Sequence, residues 1–114
     1  MINIGITRRP NGFVTKVTSV GHAQTKGGVS LACGIVSASL KSFGLTLAKN
    51  PLIKVLASSS GPGDLEISIG AIPDDQQNWF RGVQEHFFQI LDICSSEFDN
   101  QIQITWKEKE SDIF

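Results

Sequence analysis

Three short segments of this chain alternate, residue by residue, between large apolar side chains and small or polar ones. Ile2, Ile4 and Ile6 are interleaved with Asn3 and Gly5, Leu65, Ile67 and Ile69 with Glu66 and Ser68, and Ile102, Ile104 and Trp106 with Gln103 and Thr105. A period of two belongs to a strand with one buried and one open face. Two longer segments carry a helical period instead. Leu31, Ile35, Val36, Leu40, Phe43 and Leu47 predict a helix over 31–49, stopped by Asn50-Pro51. Trp79, Phe80, Val83, Phe87, Ile90, Leu91, Cys94 and Phe98 form a second stripe, with Asp74 as its N-cap, Gln77 at the third helical position and Asp99-Asn100 as its stop. Two further segments read as strands. Phe13 to Val20 follows an Arg9-Pro10-Asn11-Gly12 turn, and Leu52 to Ser58 precedes a Ser59–Asp64 turn. The order β-β-α-β-β-α-β predicts a two-layer α+β domain. Its sheet is mostly antiparallel with four to five strands, and both helices pack on one face.

At 114 residues the chain is expected to be one domain, 1–114, with 107–114 as a charged tail. That size buries roughly two-thirds of the unfolded surface, so no metal or disulfide staple is required. A net charge of −1 gives no basic field for nucleic acid. The Arg8-Arg9 and Lys107/Lys109 pairs read as solvated strand-end charges. Cys33 and Cys94 make a poor disulfide framework, and with two histidines they make no zinc site. No motif calls for a cofactor. The Met1–Arg9 stretch has no signal-peptide pattern, and no apolar run of spanning length stands out, so no membrane partner is expected. A reducing cytosol is the expected setting.

The stretch Gly21-His22-Ala23 to Ser37 holds most of the chemistry. Gln24, Thr25, Lys26, Gly27 and Gly28 read as a mobile loop, and Ser30 reads as the N-cap of the first helix. Cys33 then falls in the first helical turn, where unbonded N–H groups and the positive end of the dipole favour a thiolate. His22, at the end of the preceding strand, is placed to take and return a proton. The N–H groups there, Gly34 included, suit an oxyanion. Ser37 shares a helix face with Cys33. The plainer alternative is a small core cysteine and an unrelated loop histidine. Cys94 reads as core and His86 as a half-buried edge position. Asp74 and Asp75 read as capping, and Gly61-Pro62-Gly63 lacks the phosphate-loop pattern. Phe88 is a candidate for an outward, dimer-forming surface.

The strand-ending Gly21-His22-Ala23, the short glycine loop, and a small-residue helix with Cys33 near its start and Ser37 four residues on resemble the bacterial ribosomal-processing cysteine proteases, the Prp or YsxB-like family. The resemblance covers the whole length in element order and is most specific in the GHA motif and the cysteine helix. It implies a cytosolic homodimer that removes an N-terminal extension from a large-subunit ribosomal protein, after a Phe-containing stretch. It implies His22 as base and acid, Cys33 as nucleophile, Ser37 as the accompanying helical serine, and Gln24–Gly28 as a segment that opens for substrate. The family's acid three positions before the cysteine is Ser30 here, and the loop is about one residue shorter. A diverged relative that binds a peptide or ribosomal protein without cutting is the alternative.

Overall fold

The computed structural model describes residues 1–21, 31–61 and 63–108. The elements run β1 (Ile2–Arg8), β2 (Val14–Val20), α1 (Leu31–Ala48), β3 (Val55–Ser58), β4 (Leu65–Ile69), α2 (Gln77–Glu97) and β5 (Ile102–Glu108). This is the expected α+β order. The five strands form one sheet in the order β3-β4-β2-β1-β5. Three of its ladders are antiparallel, and β1–β5 is parallel.

That single parallel ladder has a topological cause. β2 and β3 each run antiparallel to β4, so α1 joins two parallel strands. β4 and β5 are both parallel to β1, so α2 does the same. The two crossovers run in opposite strand directions towards opposite edges of the sheet. Right-handed crossovers of that kind must place both helices on the same face. Accordingly, Ala32, Val36, Leu40, Phe43 and Leu47 of α1 and Phe80, Phe87, Leu91 and Cys94 of α2 are buried with Ile2, Ile4, Ile6, Val17, Ile67, Ile69 and Ile102 of the sheet. Phe43 and Phe87 stack across the helix pair, with centroids 4.1 Å apart and rings 8° from parallel.

Several sequence expectations need correcting. Asp74 is not the cap of α2. Asp74–Gln76 form a 3₁₀ turn, Gln76 precedes the helix without a side-chain cap bond, and Gln77 Nε2 donates to Asp74 Oδ1 at 3.2 Å instead. β3 begins at Val55, because Pro51–Ile53 turns: Ile53 N–H donates to Asn50 O and Leu52 N–H to Asn50 Oδ1. Lys107 and Glu108 are not tail. They pair with Thr7 and Arg8 in β5, and Arg8 both bridges to Glu108 at 2.6 Å and lies 4.8 Å over the Trp106 ring. Residues 109–114 lie outside the described residues. Trp79 is exposed rather than core, because Phe80 takes the buried position. Phe88 is half-buried, edge-on to Trp106 at 4.9 Å, and not an outward surface. α1 is long and apolar enough in composition to cross a membrane, but five of its apolar residues are spent in the core.

Candidate active site

The site lies at one end of the sheet, where β2 stops, α1 starts and β3 turns into β4. β2 stops because Gly21 has φ 102°, and a Cβ there would run into the carbonyl oxygen of Met1. Only glycine fits both demands. The chain therefore leaves the sheet at a fixed point, one residue before His22.

Within α1, Cys33 is the third residue and is half-buried. Ser37, one turn later, is half-buried on the same side, and among the described residues its hydroxyl makes no hydrogen bond. Ser39 differs: its hydroxyl donates back to Ile35 O at 2.7 Å. Gly34 is exposed, and a Cβ there would meet nothing within 4 Å.

Facing α1 is the β3–β4 turn. Asp64 N–H donates to Gly61 O at 3.2 Å, and the Ser59 hydroxyl lies 2.6 Å from Asp64 O and 3.0 Å from Gly61 O. The Ser60 hydroxyl donates to Asp64 Oδ2 at 2.9 Å. Gly63, at φ 82°, takes the left-handed position. Between helix and turn is a cavity of about 420 Å³. Cys33, Ser37 and Lys41 line it from α1, Ser59 and Asp64 line it from the turn, and Ser19 lines it from β2. Ile2, Val36, Leu40 and Leu65 supply apolar surface. This has the build of a small-ligand or peptide cleft, mostly apolar with a few converging polar groups.

The structure thus brings Cys33 and Ser37 into one cavity and leaves Gly34 on the open helix surface. His22, Ser30 and the loop residues Gln24, Thr25, Lys26, Gly27 and Gly28 lie outside the described residues. His86 is exposed on α2 rather than half-buried. Cys94 is core, and burial pushes its thiol up, a hydrogen bond with Ser39 opposing part of that rise. Cys33 and Cys94 are not joined to each other. Among the described residues no three His, Cys, Asp or Glu side chains converge as metal ligands would. Sequence reasoning missed Ser19, Lys41, Ser59 and Asp64. Their only local signal was the turn chemistry of Ser59–Asp64, which says nothing of what the turn faces.

No protein-family model and no curated protein matches the sequence. Solved structures do match in fold. The ribosomal processing protease Prp from S. aureus, in complex with a covalently linked product peptide, is 21% identical with a TM-score of 0.80, over 94% of this chain and 100% of that one. The same protease with a substrate peptide is 20% identical with a TM-score of 0.76, again over 94% and 100%. SMU.848 from Streptococcus mutans is 18% identical with a TM-score of 0.77, over 96% of each chain. What this chain shares with the S. aureus ribosomal processing protease, at that level of identity, is the fold over nearly its full length.

Proposed function

We propose that this chain is a cysteine endopeptidase of the ribosomal-processing type, acting on an N-terminal extension of a large-subunit ribosomal protein. The carrying observation is the place of Cys33, on the first turn of α1 and in the wall of a peptide-sized cavity. The fold likeness to a protease bound to substrate and product peptides supports the same reading.

In this reading His22 accepts the Cys33 proton, and Sγ attacks the scissile carbonyl carbon. Negative charge on the carbonyl oxygen meets first-turn N–H groups of α1. The tetrahedral species collapses as the C–N bond breaks, and the imidazolium gives its proton to the leaving amine. Water, deprotonated by His22, then cleaves the thioester and releases Cys33 and the acyl product. Ser37 is assigned to hold the thiolate or the substrate carbonyl, and Ser30 to cap the helix. Residues Gln24–Gly28 form the segment that admits substrate. No cofactor enters.

The enzyme is assigned to the cytoplasm, where a reactive thiol stays reduced. A homodimer fits the exposed side of α1, where Leu31 and Leu45 are more than half exposed. Size-exclusion chromatography with light scattering tests that assignment.

The deciding experiment uses a peptide spanning such an extension. Wild type cuts it, whereas Cys33→Ala and His22→Ala do not; cleavage by Cys33→Ala would falsify the assignment. The second reading, a relative that binds without cutting, is favoured by Ser30 standing where the family carries an acid. Thiol labelling separates the two. A working pair predicts fast iodoacetamide reaction of Cys33 near pH 6, slowed by His22→Ala, whereas a vestigial thiol reacts slowly in both proteins.

A further inference from the structure

Backbone hydrogen bonds fix which way each residue of the outer strands faces. At one end of the β3–β4 ladder Gly70 N–H donates to Lys54 O at 2.9 Å. In an antiparallel pair, bonded and non-bonded positions alternate. Leu56 and Ser58 therefore bond to Ser68 and Glu66 of β4. Val55 and Ala57, opposite Ile69 and Ile67, turn their N–H and C=O groups to the outer edge. Among the described residues no strand lies on that edge, and no hydrogen bond reaches those groups.

The other edge of the sheet, β5, is guarded. Ile2 N–H donates to Gln101 O at 2.7 Å, so in the parallel ladder Ile104, Trp106 and Glu108 face outwards. That stretch carries the charges of Lys107 and Glu108, and Trp106 lies under Arg8 and edge-on to Phe88. Charged side chains are a usual guard on an open edge. β3 has none. Val55-Leu56-Ala57-Ser58 contains no charge and no proline, and its ladder has no bulge. Leu56 is 76% exposed, on the sheet face away from the helices. β3 also leads into the candidate site. The chain passes from Ser58 to Ser59 and Gly61, which line the Cys33 cavity, and Ser37 and Lys41 line it one and two turns along α1 from Cys33. The cavity begins where the open edge ends.

We infer that a peptide held beside Cys33 continues as a sixth strand along β3, bonded to the N–H and C=O groups of Val55 and Ala57. In strand addition, main-chain bonds hold the peptide and alternate side chains are read on each face. The peptide residue that comes opposite Leu56 shares its face, which favours an apolar side chain there. Because the bonds are to backbone, the edge sets the peptide's extended shape and its placement relative to Cys33 more than its sequence. Only the occupant's being a peptide rests on the peptidase reading.

The test uses the full chain carrying Cys33→Ala and fluorescein-labelled dodecapeptides of serine and threonine around a central Phe-Ala. One backbone amide at a time is N-methylated, and binding is read by anisotropy. Wild type is assayed in parallel for cleavage of the unmethylated peptide. Methylation is expected to weaken binding roughly three- to tenfold at two positions, two residues apart on one side of the centre, and to leave the position between them within about twofold. In amide hydrogen exchange, saturating peptide should slow Val55 and Ala57 and leave Leu56 and Ser58, already in the ladder, unchanged. Ala57→Pro removes one outward N–H without touching the ladder, a change that edge strands tolerate, and should weaken binding by about the same three- to tenfold. Binding without that alternation, or without slowing of the two amides, overturns strand addition, and cleavage by wild type then leaves the peptidase reading standing. Alternation and slowing without cleavage leave the sixth strand and sink the peptidase reading. Failure of the peptide to bind overturns both.

Discussion

Gly21 lies against the backbone of Met1 so closely that any side chain at 21 would enter the Met1 carbonyl. The contact ties the exit of β2 to the start of β1, and the next residue is His22. An alanine at 21 meets both the steric clash and the positive φ. We predict that Gly21→Ala costs about 1–3 kcal/mol of stability. It should also lower peptide cleavage by more than the unfolded fraction explains, because the histidine is displaced. Urea unfolding and a cleavage assay on the folded protein measure the two effects separately. Unchanged stability would show that the contact is not rigid.

Gly34 is the opposite case. Its space is open, so Gly34→Ala should stabilise α1 by up to about 1 kcal/mol through helix propensity. The backbone N–H is kept, so cleavage should stay within about threefold of wild type. A much larger loss at unchanged melting temperature would mean that substrate packs directly on this glycine, which the proposed mechanism does not require.

Gln84 is a buried polar residue in the apolar stripe of α2. Val14 N–H donates to its Oε1 at 2.7 Å, and its Nε2 donates to Gly12 O at 3.0 Å. One side chain therefore pins the β1–β2 hairpin to the helix. Gln84→Leu leaves a buried donor and acceptor without partners and is expected to cost about 2–4 kcal/mol. Hydrogen exchange should report the loss first at the Val14 amide. A change below about 0.5 kcal/mol would mean that water replaces the amide there.

The two thiols should separate by reactivity and by pH. Cys33 borders a cavity and Cys94 is core, so native protein should take up one equivalent of iodoacetamide and the second only on unfolding. Burial raises the Cys94 thiol above its ordinary 9.0. A group whose folded value is raised contributes stability that is complete below the unfolded value and lost as pH climbs through the folded one. Above about pH 9, wild type should therefore lose unfolding free energy faster than Cys94→Ala does. Parallel slopes in alkaline urea titrations would rule out that contribution.

Period and turn chemistry alone determined the seven regular elements, their order and most of their buried positions. Ile2, Ile4, Ile6, Leu40, Phe43, Phe80 and Phe87 were legible because a strand or helix with one apolar face announces it locally. The Cys33–Ser37 face was legible for the same reason, since residues one helical turn apart must be neighbours. Tertiary structure decided what no local window contains. The parallel β1–β5 pairing follows from the α2 crossover, which returns β5 in the direction of β4 and so of β1, and it draws Lys107 and Glu108 out of the expected tail into a strand. Gln84 looks like a surface residue until the hairpin brings it the Gly12 carbonyl and the Val14 N–H. Asp64 reads as one more turn residue, and only the return of β4 beside β2 sets it with Ser19 across from Cys33. Periodicity records which way a side chain points from its own backbone; which distant backbone it then meets is set by chain connectivity and strand order.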